Sequence, residues 1–234
     1  MADHRRAFHD ELNRLEEQSL GGLDLVMSTL DRTLEALIQR DVELAALVVA
    51  DDDRIDGRYL EVHQSILSLL ATQAPVASDL RVVAALLHVI HHIERMGDQC
   101  VNIAKVIPLD GYEAPSDPEI IATIERMGRQ VGSLVGQSRR AFAERDVALA
   151  VDLTRQDDEV DRANKAVFRR ALDIGDDPDV REWAMHMILV ARALERIGDN
   201  AVDVGEQAAF VATGLFREFD DASRVGVAPL ESRT

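Results

Sequence analysis

The chain is poor in cysteine and in aromatic residues. Among its 234 residues, 47% are hydrophobic but only 4% are Phe, Trp or Tyr. A core built mainly from Ala, Leu, Val and Ile suits the packing of helix on helix. The single cysteine, Cys100, excludes an intramolecular disulfide and a thiolate metal site, and it is consistent with a reducing compartment.

The sequence also lacks long apolar runs and a surplus of basic residues. No uninterrupted run of about 18 apolar residues occurs and no charged-then-apolar leader opens the chain, so we expect a cytoplasmic protein without membrane insertion. The 43 acidic residues outnumber the 26 basic ones, for a formal charge of -17. Nucleic acid and anionic lipid would be repelled, so a cation is the expected partner.

Two segments of the chain are repeated. Residues 94–104 (ERMGDQCVNIA) return at 195–205 (ERIGDNAVDVG), 101 positions later. Residues 40–56 return at 145–161 with 8 of 17 positions identical, at an offset of 105. The four-residue difference between the offsets is about one helical turn, which a shorter hairpin in the second half would absorb. The chain is therefore interpreted as a duplication.

The hydrophobic spacing predicts helices throughout. Apolar residues recur at sums of three and four, the spacing that aligns one face of a helix. We predict an all-α fold of six long antiparallel helices, arranged as two tandem three-helix bundles with internal pseudo-symmetry. The predicted helix starts are Asp41, Ser78, a Ser116–Glu119 capping box, Asp146 and Asp177 before Pro178. The predicted stops are Pro75 for the second helix and Pro108 with Gly111 for the third. The predicted division is 1–110 for the first bundle, 111–222 for the second and 223–234 for a frayed tail.

The repeated segments carry rows of acidic side chains. Residues four apart on a helix lie on the same face, so each segment presents vertical pairs of oxygen donors. In the first half the candidate metal ligands are Asp52, Asp56, Glu94, Asp98 and Asn102. In the second half they are Asp157, Asp161, Glu195, Asp199 and Asp203. Asn102 and Asp203 differ between the copies, so the two sites need not hold the same ions.

Such pairs repel one another and need a compensating partner. A cation is one solution, since carboxylate and amide oxygens suit magnesium, manganese, iron or zinc. Partial protonation is another, and a third is a row of arginines without metal, for which the neighbouring candidates are Arg54, Arg95, Arg162 and Arg196. His91 could add a nitrogen ligand but has no counterpart in the second copy. Gly97 and Gly198 fit a close helix contact or a metal-bound water.

Enzyme signatures are missing. The chain has no Gly-rich phosphate loop, no Gly-x-Ser-x-Gly and no His-Glu-x-x-His, and the Glu-x-x-His element of di-iron bundles is also absent. We therefore expect no catalytic activity. Two alternatives remain: a carboxylate-bridged multinuclear metalloenzyme, which would need an open coordination position and an acid or base, and a helical scaffold without metal.

With its paired Glu-Arg-Met-Gly-Asp and Glu-Arg-Ile-Gly-Asp segments and the stretch PVASDLR at 75–81, the sequence resembles the PhoU family of phosphate-uptake regulators. The resemblance covers roughly residues 8 to 216. It implies two tandem three-helix bundles and one multinuclear iron or zinc cluster per bundle. By position, those clusters fall on the acidic residues named above.

The resemblance also implies a function. Members of this family are cytoplasmic adaptors that link the ATPase subunit of the phosphate ABC transporter to a sensor histidine kinase. They repress phosphate-starvation genes and restrain phosphate uptake, and many are homodimers. By resemblance, this chain is expected to be such a negative regulator.

Overall fold

The computed structural model describes residues 2–110, 116–216 and 218–219, without the side chains of residues 2–4. These residues form α-helices and no strand. The helices are α1 Ala2–Gln39, α2 Val42–Ala50, α3 Asp53–Thr72, α4 Ser78–Asp110, α5 Pro118–Glu144, α6 Val147–Leu172 and α7 Pro178–Thr213. None of the described helices is apolar over a length that would cross a membrane.

Local capping chemistry explains several helix starts. The side chains of Asp41, Asp146 and Asp177 accept hydrogen bonds from backbone N–H groups two or three residues ahead, which would otherwise lack partners at a helix start. Pro178 follows Asp177 at the first helical position, where a missing N–H has no consequence. These three predicted caps are confirmed.

The predicted second helix is interrupted in the first bundle. Asp51 and Asp52 separate α2 from α3, although the backbone of both residues stays in the right-handed region. Asp51 accepts a hydrogen bond from Arg32 of α1 at 2.6 Å, and three consecutive aspartates are poor residues for a helix interior. In the second bundle α6 is continuous, because Gln156 stands where the first copy has Asp51.

Two predicted helix ends were wrong. Pro108 lies inside α4, which is described to Asp110. So close to the end of the helix, the missing N–H removes only one terminal backbone bond. The cap of α5 is Asp117 and not Ser116: its Oδ1 accepts from the N–H groups of Glu119 and Ile120 at 3.0 Å. The carboxylate of Asp117, one residue nearer to the helix than Ser116, thus takes the capping position that was predicted for Ser116.

The two bundles pack side by side along their length. The first contains α1 to α4 and the second α5 to α7; α1 also contacts α5, and α4 contacts α7. One continuous apolar core runs through both. The predicted fold of two tandem three-helix bundles is confirmed. The repeated motif helices α4 and α7 thus lie against each other at the centre, each with an acidic face toward its own bundle's second helix. The predicted boundary between residues 110 and 111 lies at the edge of residues 111–115, which are outside the described residues, as is the predicted tail at 223–234.

Candidate metal-binding sites

The first acidic cluster consists of Asp52, Asp56, Glu94 and Asp98. It forms where α3 begins beside the middle of α4. Gly97 allows a close approach there, because a Cβ at this position would come within 2.9 Å of Ile55 Cδ1. The predicted close helix contact at Gly97 is thereby explained by packing.

Burial and mutual repulsion raise the pKa values of two members of this cluster. The pKa of Asp52 is raised first by burial and then by the charges of Asp56 and Asp98. Burial and the charge of Asp98 likewise raise the pKa of Glu94. These effects show that the four carboxylates sense one another across the two helices.

No basic side chain neutralises the first cluster directly. Among the described residues, none of its four carboxylates forms an ion pair with an arginine or lysine. The basic side chain that contacts the cluster is that of His91, whose Nδ1 lies 3.7 Å from Glu94 Oε2. Lys105 affects the pKa of Asp52 only from a distance. The arginine-row alternative therefore does not account for this cluster.

The donor chemistry of the first cluster fits a hard or borderline cation, but its side chains do not converge. Within the described part of the chain, no group of three or more His, Cys, Asp or Glu side chains is gathered closely enough to hold an ion. Asn102 lies exposed on α4, one turn beyond Asp98. Metal binding by these five residues remains a prediction.

The second acidic cluster, Asp157, Asp161, Glu195 and Asp199, is more deeply placed. Asp157 is 9% exposed and Glu195 is 8% exposed. A Cβ at position 198 would lie 2.5 Å from Asp157 Oδ1, so Gly198 leaves the space that this buried carboxylate occupies. The matching glycines therefore accommodate different neighbours: an isoleucine at Gly97 and an aspartate at Gly198.

Two cations compensate the second cluster. Arg192 Nη1 contacts Glu195 Oε2 three residues along α7. Lys165 Nζ lies 3.7 Å from Asp161 Oδ2, one turn along α6. Ion pairing thus occurs here, though through residues other than the predicted arginines; Arg162 Nε donates instead to the carbonyl of Asp158 at 3.0 Å. Metal binding in this bundle also remains a prediction.

Asp203 faces the other bundle. Its Oδ2 lies 3.3 Å from Nδ1 of His92 on α4, and the same nitrogen lies 2.8 Å from Asn200 Oδ1. Burial lowers the pKa of His92, although Asn200 and Asp203 act in the opposite direction. Asn200 donates its amide to the carbonyl of Arg196 at 2.6 Å. The predicted ligand Asp203 therefore takes part in a polar contact between α4 and α7.

Both bundles match one family model. A model described as PhoU domain matches residues 23–107 and again 124–208, so each match falls within one bundle. The chain belongs to the PhoU family. The resemblance carried by the two Glu-Arg-x-Gly-Asp segments is confirmed.

Relatives and solved structures of the PhoU family agree over most of the chain. A phosphate-specific transport system accessory protein PhoU homolog from Clostridium acetobutylicum is 31% identical over 219 residues, covering 93% of this chain and 99% of the relative. A homolog of the same name from Zymomonas mobilis is 34% identical over 89% of this chain and 88% of its own. The crystal structure of PhoU from Pseudomonas aeruginosa superposes on this chain with a TM-score of 0.83 at 29% sequence identity. The superposition covers 89% of this chain and 100% of the other.

The phosphate transport system regulatory protein PhoU from Streptococcus pneumoniae gives the same TM-score, 0.83, at 26% identity. That superposition covers 90% of this chain and 99% of the other. The fold similarity extends across both bundles and does not stop at one of them.

The sequence did not indicate the groups that distinguish the two clusters. Lys165 and His92 have no chemical counterpart in the other copy, where Leu60 and Ala193 occupy the matching positions. Arg192 corresponds to His91, which faces Glu94 at the same three-residue spacing but carries a charge only when protonated. A comparison of the two copies selects the residues that they share, so the available signal was the difference at these positions.

Proposed function

We propose that this PhoU-family protein is a regulatory accessory of phosphate transport that restrains phosphate uptake when phosphate is plentiful. The observation that carries this proposal is the double PhoU-domain match, one in each bundle. Relatives matched over about nine-tenths of the chain bear the name of accessory proteins of a phosphate-specific transport system. The proposal extends that role to this chain.

The proposed mode of action is that of a cytoplasmic adaptor. Its partners are the ATPase subunit of the phosphate ABC transporter and a sensor histidine kinase, and it acts as a homodimer. The charge of the chain supports this role: the full sequence has a formal charge of -17, and the described residues include no membrane-spanning helix. An adaptor needs surfaces with distinct chemistry, and the differences between the two bundles supply them.

Divalent or trivalent metal ions are the proposed cofactors, with iron, zinc, manganese and magnesium as candidates. The first acidic cluster supports this most directly, because its carboxylates repel one another without an arginine or lysine partner among the described residues. A bound cation would neutralise that charge. Asp52 and Asp56 would then be held to Glu94 and Asp98, which joins α3 to α4.

Phosphate uptake tests the regulatory role. In cells of the source organism grown in excess phosphate, loss of the chain should increase the initial rate of radiolabelled phosphate uptake and switch on phosphate-starvation genes. Complementation should restore both. Unchanged uptake and gene expression in the deletion strain would refute the proposal.

The adaptor and enzyme alternatives differ in a second assay. The purified chain should bind the isolated transporter ATPase subunit and the cytoplasmic part of the kinase, measured by biolayer interferometry. Metal-loaded protein should show no phosphatase or oxidase turnover. Turnover that is lost in Asp98→Asn and Asp199→Asn variants would instead support the carboxylate-bridged metalloenzyme.

A further inference from the structure

A groove runs between α6 and α7 on the outer side of the second bundle. It encloses about 480 Å³ and is lined mainly by apolar atoms. We call it the α6–α7 groove. Its lining residues are Asn164, Lys165, Phe168, Arg169, Ile188, Leu189 and Arg192.

Large apolar side chains extend the groove along the bundle. Phe168 and Leu172 are four residues apart on α6, and Met185 and Leu189 are four apart on α7; all four are at least half exposed. Residues at this spacing share one helix face and lie about 6 Å apart along the axis. Such an elongated apolar surface on a soluble bundle suits the apolar face of a partner helix.

Three cations border this apolar surface. Lys165 and Arg192 each have more than half of the side chain exposed while contacting an acidic neighbour. Arg169 is exposed, and its side chain makes no ion pair among the described residues. Although Asp161 and Glu195 pair with two of these cations, the residues that line the groove include all three cations and no carboxylate. The rim is therefore complementary to an acidic partner.

The first bundle lacks this combination. At the offsets of the two repeats, Lys165 corresponds to Leu60, Arg169 to Gln64 and Arg192 to His91. Exposed leucines remain there, at Leu60 and Leu67. These leucines are not the counterparts of the groove's central residues, since Phe168 corresponds to His63 and Leu189 to His88. Duplication therefore explains neither the apolar groove nor its cations. The charged rim is a property of the second bundle.

We propose that the α6–α7 groove binds an amphipathic helix of a partner protein, with apolar side chains facing Phe168 and Leu189 and acidic side chains facing Lys165, Arg169 and Arg192. An anionic membrane would also match the charge of the rim, but the rest of the chain would be repelled from it. The recessed shape also fits side chains inserted from a helix better than a flat bilayer.

A designed peptide pair tests the chemistry of this groove. One peptide of about 18 residues carries leucines at helical spacing flanked by glutamates, and its twin has lysines in place of the glutamates. We expect the acidic peptide to bind the full chain at least about tenfold more tightly than the basic one, measured by fluorescence anisotropy at low salt. Equal binding of the two peptides, or no binding, would overturn the proposal.

Variants locate the binding surface. The double variant Phe168→Ser/Leu189→Ser should bind the acidic peptide at least about tenfold more weakly than wild type does. Arg169→Glu should weaken binding of the acidic peptide by a similar factor and strengthen binding of the basic peptide. The matched control is Leu60→Ser with Leu67→Ser, which removes two exposed apolar side chains from the first bundle and should leave binding unchanged. Because Arg169 is exposed, its replacement tests the groove even if the serine variant unfolds.

Two further results would assign the groove to another occupant and refute the proposal. One is a shift from dimer to monomer in the Arg169→Glu variant, seen by analytical ultracentrifugation. The other is binding of phosphatidylglycerol vesicles that this same variant loses. The peptide assay needs no component of the phosphate system, so its failure is separate from failure of the proposed regulatory function.

Discussion

The two acidic clusters occupy matching positions in the sequence and differ in their surroundings. In the first, Asp52 and Glu94 have raised pKa values, and no arginine or lysine of the described chain pairs with the four carboxylates. In the second, Arg192 and Lys165 contact Glu195 and Asp161. Duplication has kept the acidic residues and changed what balances them. The first cluster is therefore the better candidate for a cation that comes from solution.

The bundles also differ in how their helices are held together at the ends. Arg170 at the end of α6 donates two hydrogen bonds to Asp117, which caps α5. The position matching Arg170 in the first bundle is Ser65. In the first bundle Arg32 of α1 instead contacts Asp51 between α2 and α3, whereas the second bundle joins the end of α6 to the start of α5.

Removal of this connection should have the largest effect on stability. Asp117→Ala deletes a helix cap, commonly about 1 kcal/mol, and leaves Arg170 without its buried partner, so we expect a loss of about 2 to 3 kcal/mol. Urea denaturation followed by circular dichroism measures it. Ser65→Ala is the matched control and should change little. A loss below about 0.5 kcal/mol would contradict the role given to Asp117.

The pH dependence of that variant has a defined sign. Hydrogen bonds from Arg170 and from the backbone of Ile120 lower the pKa of Asp117. The stabilisation is therefore present above the unfolded pKa, near 3.9, and is lost as pH falls through the folded value. The difference between wild type and Asp117→Ala should shrink below about pH 4.

The two motif glycines should respond differently to alanine. At Gly198 the added Cβ displaces the buried carboxylate of Asp157, and we expect a loss of about 1 to 2 kcal/mol despite the better helix propensity of alanine. At Gly97 it meets apolar atoms of Ile55, Cδ1 at 2.9 Å and Cγ2 at 3.1 Å, so the cost of overpacking should offset most of the roughly 1 kcal/mol gained in helix propensity. Gly57 has no neighbour within 4 Å, and Gly57→Ala should stabilise by about 0.5 to 1 kcal/mol. Urea denaturation measures the free energies of unfolding. Equal changes for Gly97→Ala and Gly198→Ala would contradict the expectation that the two glycines accommodate different neighbours.

Loss of the cation beside Glu195 should have a smaller effect. Arg192→Met keeps the apolar stem but leaves a largely buried carboxylate without its charge partner, so we expect a loss of about 1 kcal/mol, reduced by the exposure of the arginine. His91→Met beside Glu94 should stay within about 0.5 kcal/mol of wild type. Thermal unfolding in the presence of chelator compares the two. A larger loss of stability for His91→Met than for Arg192→Met would contradict the proposed difference between the two clusters.

Relief of repulsion should give the smallest effect, and a stabilising one. With chelator at pH 7, Asp98→Asn should raise the free energy of unfolding by about 0.5 kcal/mol, because Asp98 raises the pKa values of Asp52 and Glu94. Acids with raised folded pKa values contribute less stability as pH rises, since the native state holds protons that the unfolded chain releases. The gain should therefore disappear below about pH 4. Asp199→Asn should show no such gain; if it did, the second cluster would be as repulsive as the first.

Local sequence patterns predicted the helices and the caps at Asp41, Asp146 and Asp177, because those features depend on residues within one turn. The break at Asp51 was not predicted, since it involves Arg32 of another helix. The placement of Asp203 beside His92 likewise depends on how two bundles pack. Ser116 and Asp117 were both acceptable caps, and the partner Arg170, 53 residues away, favours the second. These misses come from contacts between distant segments. The local pairs Arg192–Glu195 and Lys165–Asp161 were missed for another reason, because they lie outside what the two copies share.

The two acidic clusters should differ in their demand for a cation, and the metal content of purified protein is the sharpest test of that difference. Wild type, Asp56→Asn/Asp98→Asn and Asp161→Asn/Asp199→Asn should be purified without added metal and analysed by inductively coupled plasma mass spectrometry. Circular dichroism should confirm that all three are equally helical. The account predicts that the first double variant loses most of the bound metal and the second retains most of it. Undiminished metal in the first variant, or a greater loss in the second, would contradict it.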